Sequence, residues 1–419
     1  MAYKGLKIFM KKIFLIIFYF HLFNTYLPGE GGLKEISFLS KIDNSIQPAM
    51  FYAVDTSEAR PLLVGLHTWS GDYRQETGNE LYDFCVERNW NFIFPNLRGP
   101  NNNPESTGSE YVISDAEDVL KYAAENSNVD TDRIYLIGAS GGGYTALLLA
   151  SKLPGIWAGV SAWVPITDLY QWLIETENTY PKYFNDIINS CGGDPRNDSL
   201  ALTECIKRSP VTHLENAVNV SIDLNSGIHD GHTGAVPVSH SLNAFNILAA
   251  DSDTLTSNQI EFITENEMIP EELKFNFLDA DYGENKVLFR RKSRNVRVTI
   301  FEGTHQMIAS AGINWLSQQS KNVVSVQENF SEPEYFLYQN YPNPFNPNTI
   351  IKYSIREEGI VHLKIYDILG NEVKTLVNEI KKPGIYEAEF NADQLSSGVY
   401  FYRLSANSFT ESRKLILLK

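Results

Sequence analysis

A serine flanked by glycines is the clearest candidate for chemistry in this sequence. Ser140 lies at the centre of a G-x-S-x-G pattern formed by residues 138–142. An apolar run, residues 133–137, precedes the pattern, and a run rich in Ala and Leu, residues 144–152, follows it. A sharp turn from strand to helix lifts such a serine above a sheet, and glycine leaves room for the crowded backbone. The pattern predicts that Ser140 is a nucleophile for acyl transfer, and the alternative is a Gly-rich turn without chemistry.

A nucleophilic serine needs a base, and the chain has eight histidines. His305 follows an alternating apolar run, residues 296–301, and precedes a helix-like segment, residues 308–318. In folds that carry this serine pattern, the acid and then the histidine follow the serine along the chain. We therefore expect His305 to be the base, and the alternative is a loop histidine held by hydrogen bonds.

The acid should follow the preceding strand, predicted over residues 218–224. Asp230 lies on the next loop, where it would orient the imidazole and stabilise the imidazolium. Asp223, within the strand, is the second candidate. A metal site is an alternative, because zinc binds imidazole and carboxylate groups and three histidines lie near this aspartate: His229, His232 and His240. We expect neither a metal nor an organic cofactor, since the serine mechanism already accounts for Asp230.

Two backbone N–H groups are candidates for stabilising the oxyanion. Gly141 opens the helix behind the serine, and a helix N-terminus offers free N–H groups and a positive dipole. Trp69 lies on the loop after the apolar run 62–67 and would supply the second donor. The Trp69 ring would line the acyl or leaving-group pocket, or pack as a core aromatic.

The elements that position these residues alternate between strand and helix. Buried strand patterns and helical patterns, the latter including residues 76–88 and 114–125, follow one another between residues 36 and 164. This alternation predicts a doubly wound, mostly parallel α/β sheet. Residues 165–208 and 250–294 interrupt this rhythm and are interpreted as insertions, with a lid over the site as one role. The first insertion holds Cys191 and Cys205, either bridged or as free thiols.

The chain ends in a different pattern. After a polar linker, residues 326–334, short strand patterns separated by turns predict a small all-β, immunoglobulin-like sandwich over residues 335–419. This region resembles the C-terminal sorting domain of type IX secretion substrates in four motifs: residues 339–347, 365–370, 397–402 and 414–419. The resemblance implies export by the type IX machinery, with the protein secreted or held at the cell surface. A carbohydrate-binding β-module is the alternative.

Charge and the N-terminus bear on location and partners. Four lysines precede the apolar run 13–20, which is typical of a signal peptide, predicted over residues 1–29. We therefore expect contact with a membrane only in transit. The chain has 35 basic and 51 acidic residues, a formal net charge of −16, which argues against a nucleic-acid partner.

The predicted catalytic domain, residues 30–325, resembles the prolyl-oligopeptidase-like branch of the α/β hydrolases. The match covers roughly residues 60–320 and rests on five features: Arg98-Gly99, Asp118 on the following helix, residues 138–144, Ser209-Pro210 and Val236-Pro237. One departure concerns the acid. The family's usual aspartate position is occupied by Thr233, so the resemblance implies that the acid has moved to Asp230.

These features predict a secreted serine hydrolase in which Ser140, Asp230 and His305 form a triad. The resemblance favours a peptide substrate. An ester, including one linked to a polysaccharide, is the alternative substrate, as for a carboxylesterase or carbohydrate esterase. A surface binding protein with an inactive hydrolase fold is a third interpretation, and the complete set of three residues argues against it.

Overall fold

The structure is a computed structural model that describes residues 32–274, 279–321, 335–338, 340, 343–407 and 409–418. The predicted signal peptide, residues 1–29, and the predicted linker, residues 326–334, lie outside the described residues. Among the residues that are described, no helix is both long enough and apolar enough to cross a membrane.

A nine-stranded sheet forms the larger part of the protein. Its strands are β1 Lys34–Leu39, β2 Ile46–Tyr52, β3 Arg60–Leu66, β4 Asn91–Pro95, β5 Val129–Ala139, β6 Gly159–Trp163, β7 Ile222–Gly227, β8 Val287–Ser293 and β9 Val296–Phe301. Their spatial order is β1-β2-β4-β3-β5-β6-β7-β9-β8. The six central strands from β4 to β9 pair in parallel, and β1, β2 and β8 add antiparallel edges.

Helices connect the parallel strands and cover both faces of the sheet. They are α1 Glu76–Arg88, α2 Glu110–Asn126, α3 Gly141–Lys152, α4 Leu169–Thr176, α5 Pro181–Cys191, α6 Ser199–Arg208, α7 Ser239–Leu248, α8 Ser257–Asn266 and α9 Ala309–Leu316. Successive strand side chains point to opposite faces. Along β5, Leu136 accordingly packs into one hydrophobic cluster, and Tyr135 and Ile137 pack into the other. This mostly parallel sheet between two helical layers is the α/β-hydrolase fold.

Two predicted element boundaries differ from the structure. Helix α2 begins at Glu110, earlier than the predicted start at residue 114, because the Ser109 side chain caps it by accepting from the Val112 N–H. Strand β7 begins only at Ile222, whereas the apolar pattern predicted a start at residue 218. Residues 217–220 form a turn instead, in which the Val220 N–H donates to the Ala217 carbonyl.

Arg98 anchors the β1–β2 hairpin to the rest of the domain. Its guanidinium is only 5% exposed and forms ion pairs with Asp115 at 2.5 Å and with Asp43, in the hairpin turn, at 2.6 Å. The family resemblance pointed to Asp118 as the aspartate of this helix. Asp118 instead accepts from the backbone N–H of Lys41, and Asp115, one turn earlier on α2, is the partner of the arginine.

The two predicted insertions have different structures. Residues 165–208 form α4, α5 and α6, which share a hydrophobic cluster with Trp69. Cys191 and Cys205 lie in that cluster as free thiols. Residues 250–294 include α8 and end in β8, which pairs with β9. The end of the second segment therefore extends the main sheet and does not form part of a lid.

The C-terminal region consists of two antiparallel sheets. The strands are β10 Phe336–Leu337, β11 Asn348–Ile355, β12 Gly359–Tyr366, β13 Glu372–Lys381, β14 Gly384–Asn391, β15 Gly398–Ala406 and β16 Phe409–Leu417. One sheet has the order β10-β11-β14 and the other β13-β12-β15-β16. A hydrophobic cluster that includes Ile351, Leu363 and Leu404 draws side chains from both sheets, as in a small β-sandwich.

Candidate active site

Ser140 occupies a strained turn between β5 and α3. Its backbone has φ 57° and ψ −118°, a conformation that is costly for any residue other than glycine and is typical of functional sites. A Cβ added to Gly138 would lie 2.6 Å from the carbonyl carbon of Gly142, and one added to Gly142 would lie 2.5 Å from the Leu66 carbonyl oxygen, so neither position has room for a larger residue. The Ser140 N–H donates to the Trp163 carbonyl at 2.8 Å, which ties the turn to β6.

His305 and Asp230 form a hydrogen-bonded pair. The His305 Nδ1–H donates to Asp230 Oδ2 at 2.8 Å, and the Asp230 side chain is fully buried. The second carboxylate oxygen accepts from the N–H groups of Gly231 and Val236, at 3.0 and 3.2 Å. Both carboxylate oxygens are therefore satisfied, as burial requires. Because Nδ1 is engaged, Nε2 is the nitrogen left to exchange a proton.

All three residues follow the carboxyl ends of parallel strands: β5, β7 and β9. The strand pairing aligns these ends across the sheet. Ala139 of β5 pairs with Trp163 of β6, Trp163 pairs with Asn225 of β7, and Asn225 pairs with Thr299 of β9. The carboxyl ends of these strands lie at one edge of the sheet. Ser140 follows β5, Asp230 follows β7 and His305 follows β9. In open α/β sheets, this edge is where ligands bind.

Gly234 closes the acid loop onto the pair, a feature that sequence reasoning missed. A Cβ at this position would overlap Asp230 Oδ1 and lie 2.6 Å from the His305 Cβ. The Tyr180 hydroxyl, just before α5, donates to the Gly234 carbonyl at 3.0 Å. The first insertion therefore contacts the loop that carries the acid, and no local sequence signal could reveal a contact between residues so far apart.

The backbone of Trp69 lies against Gly141. A Cβ added to Gly141 would overlap Trp69 N and Cα, so the two predicted oxyanion donors are neighbours. Gly141 is the first residue of α3, and the first N–H groups of a helix have no intrahelical acceptor. The structure thus brings two candidate N–H donors to one place beside Ser140.

The Trp69 ring packs in the core. It is 2% exposed, its Nε1–H donates to Asp186 Oδ2 at 3.1 Å, and it contacts Trp172 edge-on with a centroid distance of 4.8 Å. Of the two roles predicted for this ring, the buried core aromatic is the one observed. Asp186, on α5, is a further residue that the sequence did not single out.

Asp223, the second candidate acid, is committed elsewhere. Its buried carboxylate accepts from Arg297 Nε at 2.7 Å and from the side chains of Asn225 and Ser161 at 2.8 and 3.2 Å. It sits within β7, inside the sheet, and has no contact with His305 among the contacts of the described residues. Thr233, at the family's usual acid position, is exposed and donates to the His229 carbonyl.

The three histidines near Asp230 are held by carboxylate and carbonyl groups, and Glu267 lies near two of them, His229 and His232. Both ring nitrogens of His229 face carboxylates, Glu267 at 2.5 Å and Glu302 at 2.7 Å. These hydrogen bonds, that to Glu267 first, raise the pKa of His229. His232 donates to the Thr264 carbonyl. His240 is buried, accepts from the Thr167 N–H and donates to Glu175.

The metal alternative can be judged from these partners. In the portion of the chain that the structure describes, no group of three or more His, Cys, Asp or Glu residues has the arrangement to hold a metal ion. Of the histidines that suggested such a site, His229 and His232 lie near Glu267, whereas His240 lies beside Glu175.

Two segments of the chain match known families. Residues 85–266 match the prolyl oligopeptidase family, a segment that includes Ser140 and Asp230. Residues 339–418 match the secretion system C-terminal sorting domain. The sorting domain indicates secretion or cell-surface localisation by the type IX route, in agreement with the sequence prediction.

Solved structures with a similar fold include peptidases and an esterase. An acylaminoacyl peptidase of Pyrococcus horikoshii shares 16% identity over 52% of this chain, with a TM-score of 0.42, and the matched region spans 35% of that peptidase. A puromycin-hydrolyzing peptidase of Mycobacterium tuberculosis shares 15% identity over 68% of this chain and 38% of its own length, with a TM-score of 0.44. An esterase of Pyrococcus furiosus shares 12% identity over 68% of this chain and 90% of its own length, with a TM-score of 0.43.

Proposed function

We propose that this chain, a serine hydrolase with a prolyl oligopeptidase family domain followed by a secretion sorting domain, cleaves acyl bonds with Ser140, Asp230 and His305 as a catalytic triad. The observation that carries the proposal is the 2.8 Å hydrogen bond between His305 and the buried Asp230, at the sheet edge that also presents Ser140. The order of the three residues along the chain is that of hydrolases with this elbow.

The geometry supports the following sequence of proton transfers. His305 Nε2 takes the proton of the Ser140 hydroxyl as the oxygen attacks the acyl carbon, and Asp230 stabilises the imidazolium that forms. The N–H groups of Trp69 and Gly141 donate to the oxyanion of the tetrahedral intermediate. His305 then returns the proton to the leaving group, and a water molecule, activated in the same way, releases the acyl group from Ser140.

A peptide is the substrate class we propose, because the matched family is one of peptidases. Esters share the acyl carbon and the tetrahedral intermediate, so the same triad would hydrolyse an accessible ester. The leaving group therefore distinguishes the two classes, and a matched pair of substrates with the same acyl group separates them.

The test compares the exported wild-type protein with Ser140→Ala. Each is assayed on aminoacyl and prolyl amides and on esters with the same acyl groups, including acetylated and feruloylated sugars. We expect amide turnover by the wild type and a fall in kcat of about 10⁶ for the variant. A fluorophosphonate probe should label the wild type only.

Other outcomes would change the proposal. Turnover restricted to esters would make the protein an esterase. A wild-type protein that neither turns over these substrates nor reacts with the probe would be the binding protein considered above. Labelling that survives Ser140→Ala would assign the nucleophile to another residue.

A further inference from the structure

Two buried cysteines share one hydrophobic cluster in the insertion beside the candidate active site. Cys191 is the last residue of α5, and Cys205 lies in the middle of α6. The two side chains are 4% and 0% exposed. Both belong to the hydrophobic cluster that α4, α5 and α6 share, and the neighbouring Cys191 thiol, with burial, raises the pKa of Cys205. The two thiols therefore lie in one dry cluster.

The connection between the two helices holds the thiols in this arrangement. Gly192 ends α5 in the left-handed conformation, with φ 77°, and the Gly193 N–H donates to the Ile188 carbonyl. Asp198 then caps α6 by accepting from two backbone N–H groups. Both ends of the short loop are thus fixed by hydrogen bonds, so little conformational entropy would be lost in bridging its two sides.

The location of the protein determines whether these two thiols can be oxidised. Its sorting domain indicates that it is secreted or carried to the cell surface, where thiols are no longer kept reduced as they are in the cytosol. We propose that Cys191 and Cys205 are oxidised to an intramolecular disulfide during export, which makes them a modification site that covalently joins α5 to α6.

The oxidant is a disulfide of a thiol–disulfide oxidoreductase. One cysteine thiolate attacks that disulfide and forms a mixed disulfide, and the second cysteine thiolate then displaces the oxidant. The two cysteines lose two protons and two electrons in total, one S–S bond forms between them, and the oxidant leaves as a dithiol. Because both thiols are buried in the folded protein, the exchange takes place before the cluster closes around them.

The disulfide would stabilise the position of α5, the helix that contacts Trp69. Asp186, on the same helix as Cys191, accepts from the Trp69 indole. Ser190, next to Cys191, shares a 2.7 Å hydrogen bond with Thr107, on the loop before α2. A covalent link from α5 to α6 therefore restrains a helix that contacts the loop carrying a proposed oxyanion donor.

Cys85 provides a matched control. It is also fully buried, in α1, and burial raises the pKa of its thiol. It packs in a different hydrophobic cluster from the one that holds Cys191 and Cys205. Burial alone therefore does not distinguish the pair, and their shared cluster does.

The first experiment maps the thiols of the full exported chain. The protein is collected from the medium or cell surface, denatured in iodoacetamide without reductant, digested and analysed by mass spectrometry. We expect one linked peptide containing Cys191 and Cys205, and carbamidomethylated Cys85. Carbamidomethylation of both Cys191 and Cys205 would overturn the proposal, whether or not the protein proves to be active.

The second experiment measures the effect on stability. Addition of a phosphine reductant should lower the melting temperature of the wild type by about 5 °C, the effect of losing a disulfide that closes a short loop. Cys85→Ser should respond in the same way, and Cys191→Ser combined with Cys205→Ser should not respond. An unchanged wild-type melting temperature in protein whose thiols become reactive would contradict the stabilising role, and the peptide map still decides the bond if the double variant does not fold.

Discussion

The nucleophile turn and the loops of the acid and base are built in different ways. The turn at Ser140 depends first on neighbours within two residues, because Gly138 and Gly142 must approach each other across it, and the Ser140 N–H then ties it to Trp163 of β6. Asp230 and His305 are 75 positions apart and meet only because β7 and β9 are adjacent in the sheet. The turn at Ser140 depends on steric room around its glycines, and the Asp230–His305 pair depends on the packing of distant segments. Substitutions in the two regions should therefore change kcat by different amounts.

After Ser140→Ala, the largest effect is expected at the acid. Asp230→Asn keeps the size of the side chain and removes the negative charge that stabilises the imidazolium, so kcat should fall by about 10⁴ on whichever substrate the wild type cleaves. Steady-state kinetics measures this, and circular dichroism checks that the fold is retained.

Asp223→Asn is the matched control for that substitution. It removes the charge partner of Arg297, on the next strand, and leaves a buried cation without its carboxylate. We expect a lower melting temperature and a kcat within about tenfold of the wild type. If Asp223→Asn reduced kcat as much as Asp230→Asn does, the assignment of the acid would be wrong.

A smaller effect is expected at the nucleophile turn, through steric room alone. In Gly141→Ala the new Cβ would overlap the Trp69 backbone and displace a proposed oxyanion donor. Loss of one such donor lowers kcat by about 10²–10³. Gly155→Ala adds a Cβ with no heavy atom within 4 Å and should leave kcat unchanged. Equal kcat values for the two variants would show that Trp69 does not serve the oxyanion.

The smallest effect concerns His229, which lies on the loop of Asp230 and contacts Glu302 on the loop of His305. Its contacts with Glu267 and then Glu302 raise its pKa above the usual 6.5. The folded state therefore binds the proton more tightly than the unfolded state does. The resulting stability is fully present below about pH 6.5 and is lost as the pH rises through the folded-state pKa. The contribution should be at most about 1 kcal/mol, because the ring is partly exposed.

Urea unfolding between pH 5.5 and 8.5 measures that contribution. His229→Gln should remove the part of the pH dependence that the imidazole supplies, and Glu302→Gln should reduce it by removing one of two partners. A pH dependence in His229→Gln identical to that of the wild type would show that this cluster does not link the loops energetically.

Much of the fold could be predicted from local patterns of apolar and polar residues in the sequence. The helix predicted over residues 76–88 has those bounds in the structure, and the alternation of strands and helices predicted the parallel sheet. Helix α2 and strand β7 were misplaced at their starts, because a serine cap and a turn override the apolar pattern at element ends. The partner of Arg98 was also missed, since spacing along α2 alone does not distinguish Asp115 from Asp118.

Sequence by itself therefore determined the α/β class, the elbow around Ser140 and the sorting motifs, because each depends on residues that are neighbours in the chain. Tertiary structure alone decided that Asp230, and not Asp223 or Thr233, meets His305, and that the Trp69 ring is buried beneath α5. Contacts of that kind depend on which strands and helices lie side by side, and the free energy that fixes them comes from packing over the whole domain.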